Sequence, residues 1–373
     1  MNIGIICEYN PFHYGHLYQI NELKRMYPDS KITIVMSGWI TERGDLSLID
    51  KFKKADIALH YGVDLVVELP YKFIQSADFF AKGAVEILNK LGCNYIAFGS
   101  ESNDLEKLNT LASVQINNKE FDKLVKDYMK SESNYPTALN NALKDICGKS
   151  VSDPNDILGV CYLKEIIKNK YDIKPILIKR NSNYNSKKIE GKITSASSIR
   201  ELLKNKKNIK KYVPSYTYKN LKDVVFLDDY FDLIKYKIIS TDISDYQGID
   251  ENLKNRILNS INESNNLDEL INLIKSKKIT YNRVKRVLTY ILLDIKKCDN
   301  LDLEYIRILG FNDNGRNILN KVKKNINISI LTKYDPKYLS NDLKINNIIS
   351  LNKNIKNKKE FIEKEYKEKT VIY

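Results

Sequence analysis

The chain has 373 residues, of which 43% are hydrophobic, enough to bury a core and too many for a disordered or fibrous chain. Its formal net charge of +14 would suit a polyanionic partner, although A+T-biased coding can also produce a sequence this rich in Lys, Asn, Ile and Tyr. The five cysteines are scattered without a Cys-x-x-Cys pair, which argues against a disulfide framework and a cysteine zinc site.

The N-terminal segment opens on a short apolar run, Ile3 to Ile6, that lacks a basic n-region and is soon followed by Glu8. This pattern predicts a strand rather than a signal peptide. No stretch approaches the roughly 20 apolar residues that span a bilayer, so we expect no membrane segment and a cytoplasmic protein. The next element is a predicted helix with an apolar face formed by Leu17, Ile20, Leu23 and Met26.

Strands and helices then alternate. Predicted strands at 31–37, 63–69 and 94–98 are separated by predicted helices at 46–60 and 77–91, and Gly62 is placed to cap the first of these helices. Alternation with short connections indicates βαβ units and a mostly parallel sheet, whose ligand crevice lies beyond the carboxyl ends of its strands. The predicted fold class is therefore α/β with a Rossmann-like sheet.

The middle of the chain predicts a helical stretch over 105–147, a helix ending near 169, a fifth strand at 175–180 and a helix opened by the hydroxyl-rich segment 194–198. A basic run over 204–211 and the following Pro214 indicate a domain boundary near residue 205. We expect residues 1–205 to form the α/β domain and residues 206–373 to form a mostly α-helical C-terminal domain.

Two of the three histidines, His13 and His16, lie in the loop between the first strand and the first helix. Gly15 would let a phosphate approach the backbone there, and the free N–H groups of a helix start favour an anion. Two imidazoles at this position could donate hydrogen bonds to phosphate oxygens during a displacement at phosphorus. The alternatives are an ordinary helix cap and a zinc site built on His-x-x-His, for which no third ligand is evident.

A second pattern lies later in the chain, where Lys179 and Arg180 are followed by Ser195-Ala-Ser-Ser-Ile-Arg200. Hydroxyls at a helix start with an arginine one turn further predict either a phosphate-binding helix end or a simple cap. The pairing with the histidine loop favours phosphate binding.

Together, His13-Tyr-Gly-His16 and Ser195 to Arg200 resemble the HxGH and S-S-T-x-x-R signatures of the nucleotidyltransferase superfamily, with Ala196 replacing the second serine. A longer set of segments resembles the bacterial tRNA(Met) cytidine acetate ligase family over nearly the whole chain. These segments are Glu8-Tyr-Asn-Pro-Phe-His-Tyr-Gly-His-Leu17, Ser37-Gly38 with Arg43-Gly44, Asp64-Leu-Val-Val-Glu-Leu-Pro70, Phe98-Gly-Ser-Glu101, Pro154-Asn-Asp-Ile-Leu-Gly159 and Arg307-Ile-Leu-Gly-Phe-Asn312.

The resemblance implies that residues 1–205 bind ATP, which reacts with acetate to give acetyl-adenylate and pyrophosphate. The acetyl group would then pass to N4 of the wobble cytidine of elongator tRNA(Met), forming N4-acetylcytidine. The same resemblance makes His13 and His16 the catalytic pair on the ATP phosphates. The other implied ATP-binding residues are Cys7, Glu8, Tyr9, Asn10, Pro11, Phe12, Gly15, Gly99, Asn155 and Arg180, with Ser195, Ser198 and Arg200 at the pyrophosphate end.

Magnesium is expected to neutralise the triphosphate, with Glu8, Asp45 and Glu101 as candidate ligands. No protein partner is indicated. Lysines and arginines of the junction and the C-terminal domain would bind the tRNA, and the candidate contacts are Lys204, Lys206, Lys207, Lys210, Lys211, Arg283, Lys285 and Arg286. Two departures from the family are Tyr14 in place of Asn and Trp39-Ile-Thr-Glu42 in place of Asn-Phe-Val-Gln; the second is expected to affect the fit of acetate or cytidine.

Two other functions remain open on sequence grounds. The first is a nucleotidyltransferase of the same fold that makes a dinucleotide or a CDP-alcohol and uses no RNA. The second is a non-catalytic, basic RNA-binding protein with a vestigial nucleotide site. ATP–pyrophosphate exchange distinguishes the three, because an acetate ligase requires acetate for exchange, a small-molecule enzyme requires another substrate, and a vestigial site gives none.

Overall fold

The computed structural model describes residues 1–131, 134–180, 194–324 and 326–373. The N-terminal part alternates strands and helices in the predicted order. Its elements are β1 (Asn2–Cys7), α1 (Tyr14–Met26), β2 (Lys31–Ser37), α2 (Lys51–His60), β3 (Leu65–Leu69), α3 (Ala77–Lys90), β4 (Tyr95–Ser100), α4 (Leu105–Asn117), α5 (Phe121–Lys130), α6 (Tyr135–Cys147), α7 (Pro154–Asn169), β5 (Lys174–Lys179) and α8 (Ala196–Lys204).

Two predicted helices differ from the observed ones at identifiable caps. The helix predicted from residue 46 begins at Lys51, because the Asp50 side chain accepts the Lys53 N–H and residues 46–50 are not helical. The stretch predicted as helical over 105–147 is three helices, the last of which is capped by the Asn134 side chain. Gly62 follows α2 with a φ of +94°, as the predicted capping role requires.

Over the residues that the structure describes, the C-terminal part contains more helices and also three strands. Its elements are α9 (Ser215–Asn220), α10 (Phe231–Ser240), α11 (Glu251–Ser260), α12 (Leu267–Ile274), α13 (Tyr281–Leu293), β6 (Tyr305–Phe311), α14 (Asp313–Val322), β7 (Ser329–Leu331), α15 (Pro336–Ile349), α16 (Lys358–Lys367) and β8 (Val371–Ile372). Short 3-10 turns lie at Tyr71–Phe73 and Leu227–Tyr230.

One sheet joins both parts of the chain in the order β5-β4-β1-β2-β3-β6-β7, with β8 paired to β6. All pairs are parallel except β3 with β6. The α/β class is confirmed. Strand β6 of the C-terminal part covers the edge of β3, which would otherwise expose unpaired backbone groups.

Helices cover both faces of the sheet, so consecutive residues of the central strands are buried on opposite sides. In β2, Ile34 belongs to the core packed under α1 and α2, whereas Val35 belongs to the core packed under α3 and α7. The chain order reverses between β1 and β4, which places the ligand crevice of such a sheet beyond their carboxyl ends. Within the described ranges, no helix has the length and hydropathy to cross a membrane.

A buried charge network fixes the C-terminal segment to the sheet. Lys51 Nζ lies 2.9 Å from Glu68 Oε1, 3.4 Å from Asp342 Oδ1 and 3.0 Å from Glu365 Oε1. Arg307 Nη1 contacts Glu365 and lies 3.4 Å from Glu68 Oε2. Three carboxylates thus share two cations, and the five residues come from α2, β3, β6, α15 and α16.

Candidate active site

A cavity of about 230 Å³ opens beyond the carboxyl ends of β1 and β4, where the strand order reverses. The fold brings eleven of the proposed ATP-site residues to its wall, although they come from distant parts of the sequence. They are Cys7, Glu8, Tyr9, Asn10, His13, Gly15, His16, Gly99, Asn155, Arg180 and Arg200.

Four other proposed ATP-site residues do not line this cavity. Phe12 is buried and its ring stacks on Tyr61 with centroids 5.2 Å apart, so it anchors the loop in the core. Pro11 is buried beside it. Ser195 and Ser198 bond each other through their hydroxyls at 2.9 Å, and Ser195 accepts the Ser198 N–H as the N-cap of α8.

The two histidines form a reciprocal cap at the start of α1. The Gly15 N–H donates to His13 Nδ1 at 3.0 Å, and the His13 N–H donates to His16 Nδ1 at 3.2 Å. Their rings stack with centroids 3.8 Å apart. Since Nδ1 of each ring is an acceptor, Nε2 carries the proton in the neutral form and is the hydrogen-bond donor that each ring offers to a ligand.

Both imidazoles are neutral at physiological pH. Burial, reinforced by Arg180 and Arg200, lowers the pKa of His13 to about 3. Burial, together with His13 and Arg180, also holds the pKa of His16 well below its usual value. Zinc would need a deprotonated Nε2, which the caps disfavour, and no cluster of three potential ligands exists among the residues the structure describes. The zinc alternative therefore has no support.

Arginines give the cavity its positive charge. Arg200 donates from Nη1 to the Asn10 carbonyl at 2.8 Å and from Nη2 to Asp45 Oδ2 at 3.2 Å, so its guanidinium is held across two loops. Arg180 Nε lies 3.8 Å from Glu101 Oε1. A Cβ on residue 99 would lie 3.3 Å from Arg180 Cγ, so glycine there leaves room for this side chain. Two fixed guanidiniums beside neutral imidazole donors suit a polyphosphate.

The N-terminus of α8 reaches the cavity through residues other than the two serines that resembled the motif. Ala196, Ser197 and Arg200 line the wall, and Ser197 Oγ lies 3.4 Å from Arg200 Nη2. Sequence reasoning missed Ser197 because motif matching favoured its neighbours. The serine run itself was the signal that could have indicated it.

A turn, residues 41–45, forms part of the cavity wall and contacts α8 through Asp45 and Arg200. Thr41 and Asp45 bond each other through the Thr41 hydroxyl, at 2.9 and 3.0 Å. Glu8 Oε1 accepts the Glu42 N–H at 2.6 Å. Helix α13 packs on the outer side, where Thr289 donates to the Gly44 carbonyl at 2.7 Å.

Two cations of α13 bind this turn, which sequence reasoning did not anticipate. Arg286, proposed as a tRNA contact, donates to the Glu42 carbonyl at 2.8 Å and is partly buried. Lys285 pairs with Asp45, which also binds Arg200. Burial alone would raise the pKa of Asp45. Lys285 and Arg200 face its carboxylate, and their positive charges lower this pKa instead. Both side chains thus support the cavity wall rather than an open surface.

A buried lysine that sequence reasoning also missed links the carboxyl ends of β1 and β2 beside the cavity. Lys54 Nζ donates to the carbonyls of Glu8, Ser37 and Gly38 at 3.1, 2.8 and 3.0 Å. Burial lowers its pKa to about 8. The signal in the sequence was its spacing, because Lys54 lies on the same helical face as the buried Ile57 and Ala58.

The three proposed magnesium ligands are engaged with protein groups. Glu8 accepts a backbone N–H, and Asp45 is paired with Arg200 and Lys285. Glu101 accepts from the Asn155 side chain at 2.5 Å and from the Asp156 N–H at 3.2 Å. These residues therefore offer no cluster of free carboxylates to a metal ion.

The other proposed tRNA contacts divide into paired and unpaired side chains. Lys204 pairs with Asp228 and Arg283 with Asp250, each at 2.6 Å. Among the described residues, Lys207, Lys210 and Lys211 are exposed and form no ion pair within 4.0 Å. A shallow groove without an acidic lining residue gathers these and neighbouring groups: Leu203, Lys206, Lys207, Asn208, Ile209, Tyr218, Lys219, Leu221 and Lys222.

The two departures from the family pattern have different placements. Tyr14 and Trp39 do not line the cavity. Trp39 is buried, and its indole N–H donates to Asn346 Oδ1 at 3.0 Å against the C-terminal helices. Thr41 and Glu42 do line the cavity, so within that segment they are the positions able to affect substrate fit.

The family model described as HIGH nucleotidyl transferase matches residues 1–365. A Clostridium novyi protein named tRNA(Met) cytidine acetate ligase is 39% identical, covering 92% of this chain and 93% of that protein. A Clostridium perfringens protein of the same name is 40% identical, covering 95% of this chain and 97% of that protein. The chain belongs to the tRNA(Met) cytidine acetate ligase family.

Solved structures agree with the family assignment. The apo crystal structure of Thermotoga maritima TmcAL superposes with a TM-score of 0.91 at 27% identity, covering 100% of this chain and 99% of that one. A second crystal form of that protein, bound with alpha-thio ATP, gives a TM-score of 0.87 over the same coverage. The resemblance inferred from the sequence motifs is confirmed over the full chain.

Proposed function

We propose that this protein is an ATP-dependent ligase that activates acetate as acetyl-adenylate and transfers the acetyl group to N4 of the wobble cytidine of elongator tRNA(Met). The observation that carries the proposal is the full-length likeness to ligases of this name, joined to a cavity lined by two neutral imidazoles and by three arginines, among them Arg180 and Arg200. ATP and tRNA as substrates favour a cytoplasmic location.

In the first reaction an acetate oxygen attacks the α-phosphorus and pyrophosphate leaves. A carboxylate is already a competent nucleophile, so no residue has to be acylated or act as base at this stage. The Nε2–H groups of His13 and His16 would stabilise the charge that develops on the phosphate oxygens. Arg180 and Arg200 would hold the departing pyrophosphate. Ser197, in the first turn of the helix that carries Arg200, lines the cavity beside them.

Magnesium would enter with ATP rather than occupy a site built by the protein. Asp45 is paired with two cations and Glu101 accepts from Asn155 and the Asp156 N–H, so Glu8 alone would supply too few ligands for a metal site. Phosphate oxygens and water supply ligands that suit this ion, and its charge would offset that of the triphosphate.

The basic groove is the surface that best suits the tRNA. Lys206, Lys207, Lys219 and Lys222 surround Tyr218, whose exposed ring could stack on an unpaired base. Helix α8 connects the groove to the cavity: its first turn lines the cavity, and Leu203 near its other end lines the groove. A helix of nine residues spans about 13 Å, a distance that a few nucleotides of an anticodon loop can bridge.

The proposal is tested by incubating the purified protein with tRNA, ATP and acetate and analysing the nucleosides by mass spectrometry. N4-acetylcytidine at the wobble position of elongator tRNA(Met) is the expected product, and omission of acetate or ATP should abolish it. Acetate-independent nucleotidyl transfer to another small substrate, with no modified nucleoside, would refute the proposal.

A further inference from the structure

Glu8 differs from the other carboxylates that line the cavity. Within the described ranges it forms no ion pair, whereas Glu42 pairs with Arg286 and Asp45 pairs with Arg200 and Lys285. It follows β1 directly and is only half-buried. Glu8 is therefore a carboxylate on the cavity wall that has no ion-pair partner within 4.0 Å among the described residues.

The side chain and the backbone of Glu8 are both held in place. Oε1 accepts the Glu42 N–H at 2.6 Å, and the backbone carbonyl accepts the Lys54 ammonium at 3.1 Å. Lys54 itself is fixed by two further carbonyls at the end of β2. This anchoring leaves Oε2 as the oxygen that can accept a proton from a bound substrate.

The acyl-transfer half of the proposed reaction requires a base. The exocyclic amine of cytosine is conjugated with the ring and is a weak nucleophile, and it must lose a proton when it becomes an amide. The histidines do not suit this task, because their Nδ1 atoms accept backbone N–H groups and Nε2 carries a proton. Asp45 is neutralised by its two cations.

We propose that Glu8 is the general base of acetyl transfer. This inference rests on the proposed function. The cytidine N4 atom forms a bond to the acetyl carbon of acetyl-adenylate, and the bond from that carbon to the AMP phosphate oxygen breaks. One N4 proton passes to Glu8 Oε2, AMP leaves as a phosphate monoester, and Glu8 then releases the proton to water.

The surroundings of Glu8 suit this cycle. Burial raises its pKa to about 7, the Glu42 N–H opposes that rise and the Glu42 carboxylate adds to it. Arg43 and Lys54 lower the pKa. The neighbouring Cys7 and Tyr162 remain neutral because burial raises the pKa of each. A base with a pKa near the working pH both accepts the amine proton and returns it readily.

The experiment measures two reactions in one variant, Glu8→Gln. Glutamine keeps the acceptor for the Glu42 N–H and the size of the side chain but cannot take a proton. We expect acetyl transfer to tRNA to fall roughly 10²–10⁴-fold further than acetate-dependent ATP–pyrophosphate exchange does in the same variant. The wild-type rate of transfer should rise with pH through about 7 as Glu8 ionises, and the variant should lack this limb. Glu106→Gln, an exposed change on α4, is the matched control.

Three results would overturn the inference. Equal losses of exchange and transfer would place Glu8 in acetate activation. Transfer at the wild-type rate would remove it from the mechanism, and an unchanged pH limb in the variant would assign that limb to another group. The proposed function fails differently, because the wild-type protein itself would then give no acetate-dependent exchange or no acetylated tRNA.

Discussion

Substitution of His13 by Asn should separate the structural role of this residue from its proposed chemical one. The Gly15 N–H donates to His13 Nδ1 at 3.0 Å, and Asn Oδ1 occupies nearly the same position in a side chain that is itself a favoured N-cap. The variant therefore keeps the cap of α1 but loses the Nε2–H donor. Loss of one preorganised donor to a developing charge costs about 10²–10³ in kcat.

The matched variant is His13→Ala, which loses both the donor and the cap. It should be as inactive as the Asn variant and also less stable, by about 1 kcal/mol for the cap. Acetate-dependent ATP–pyrophosphate exchange measures the first effect, and denaturant unfolding measures the second. If the Asn variant exchanged pyrophosphate at the wild-type rate, His13 would be only a cap and the proposed stabilisation of the phosphates would be refuted.

Three further changes test other parts of the structure. Burial raises the pKa of Asp342 to about 7, so stability should fall as pH rises from about 4 to 7. Asp342→Asn should therefore raise the unfolding free energy by at least about 1 kcal/mol more at pH 8 than at pH 5; equal effects at both pH values would contradict this. Reversing the charge of Lys207 and Lys219 should weaken tRNA binding and reduce its salt dependence by about one log–log slope unit for each phosphate that is no longer neutralised, with acetate-dependent exchange unchanged. Loss of exchange would show instead that these lysines serve folding or ATP. Trp39→Phe should cost about 1–2 kcal/mol of unfolding free energy, because the buried Asn346 oxygen loses its donor, and should leave the KM for acetate unchanged.

Much of the N-terminal fold could be predicted because its signals are local. The strand at 31–37 has the predicted bounds, since a short apolar run bounded by polar turns specifies a buried strand. The predicted start of α2, residue 46, was wrong. The helix begins after its N-cap, Asp50, and the spacing of apolar residues does not show which polar residue caps a helix. The pairing of β6 with β3 could not be derived from the sequence, because it joins segments separated by most of the chain.

The sequence by itself determined the histidine loop, since a strand, a glycine-containing turn and a helix start place His13, Gly15 and His16 together through contacts between near neighbours. Only the tertiary structure decided the protonation and orientation of the side chains in this loop. Burial and the arginines at 180 and 200 keep the imidazoles neutral, and α13 holds the turn that binds Glu8. Protonation and orientation depend on charges and packing that the fold brings from distant segments, so no local pattern could have specified them.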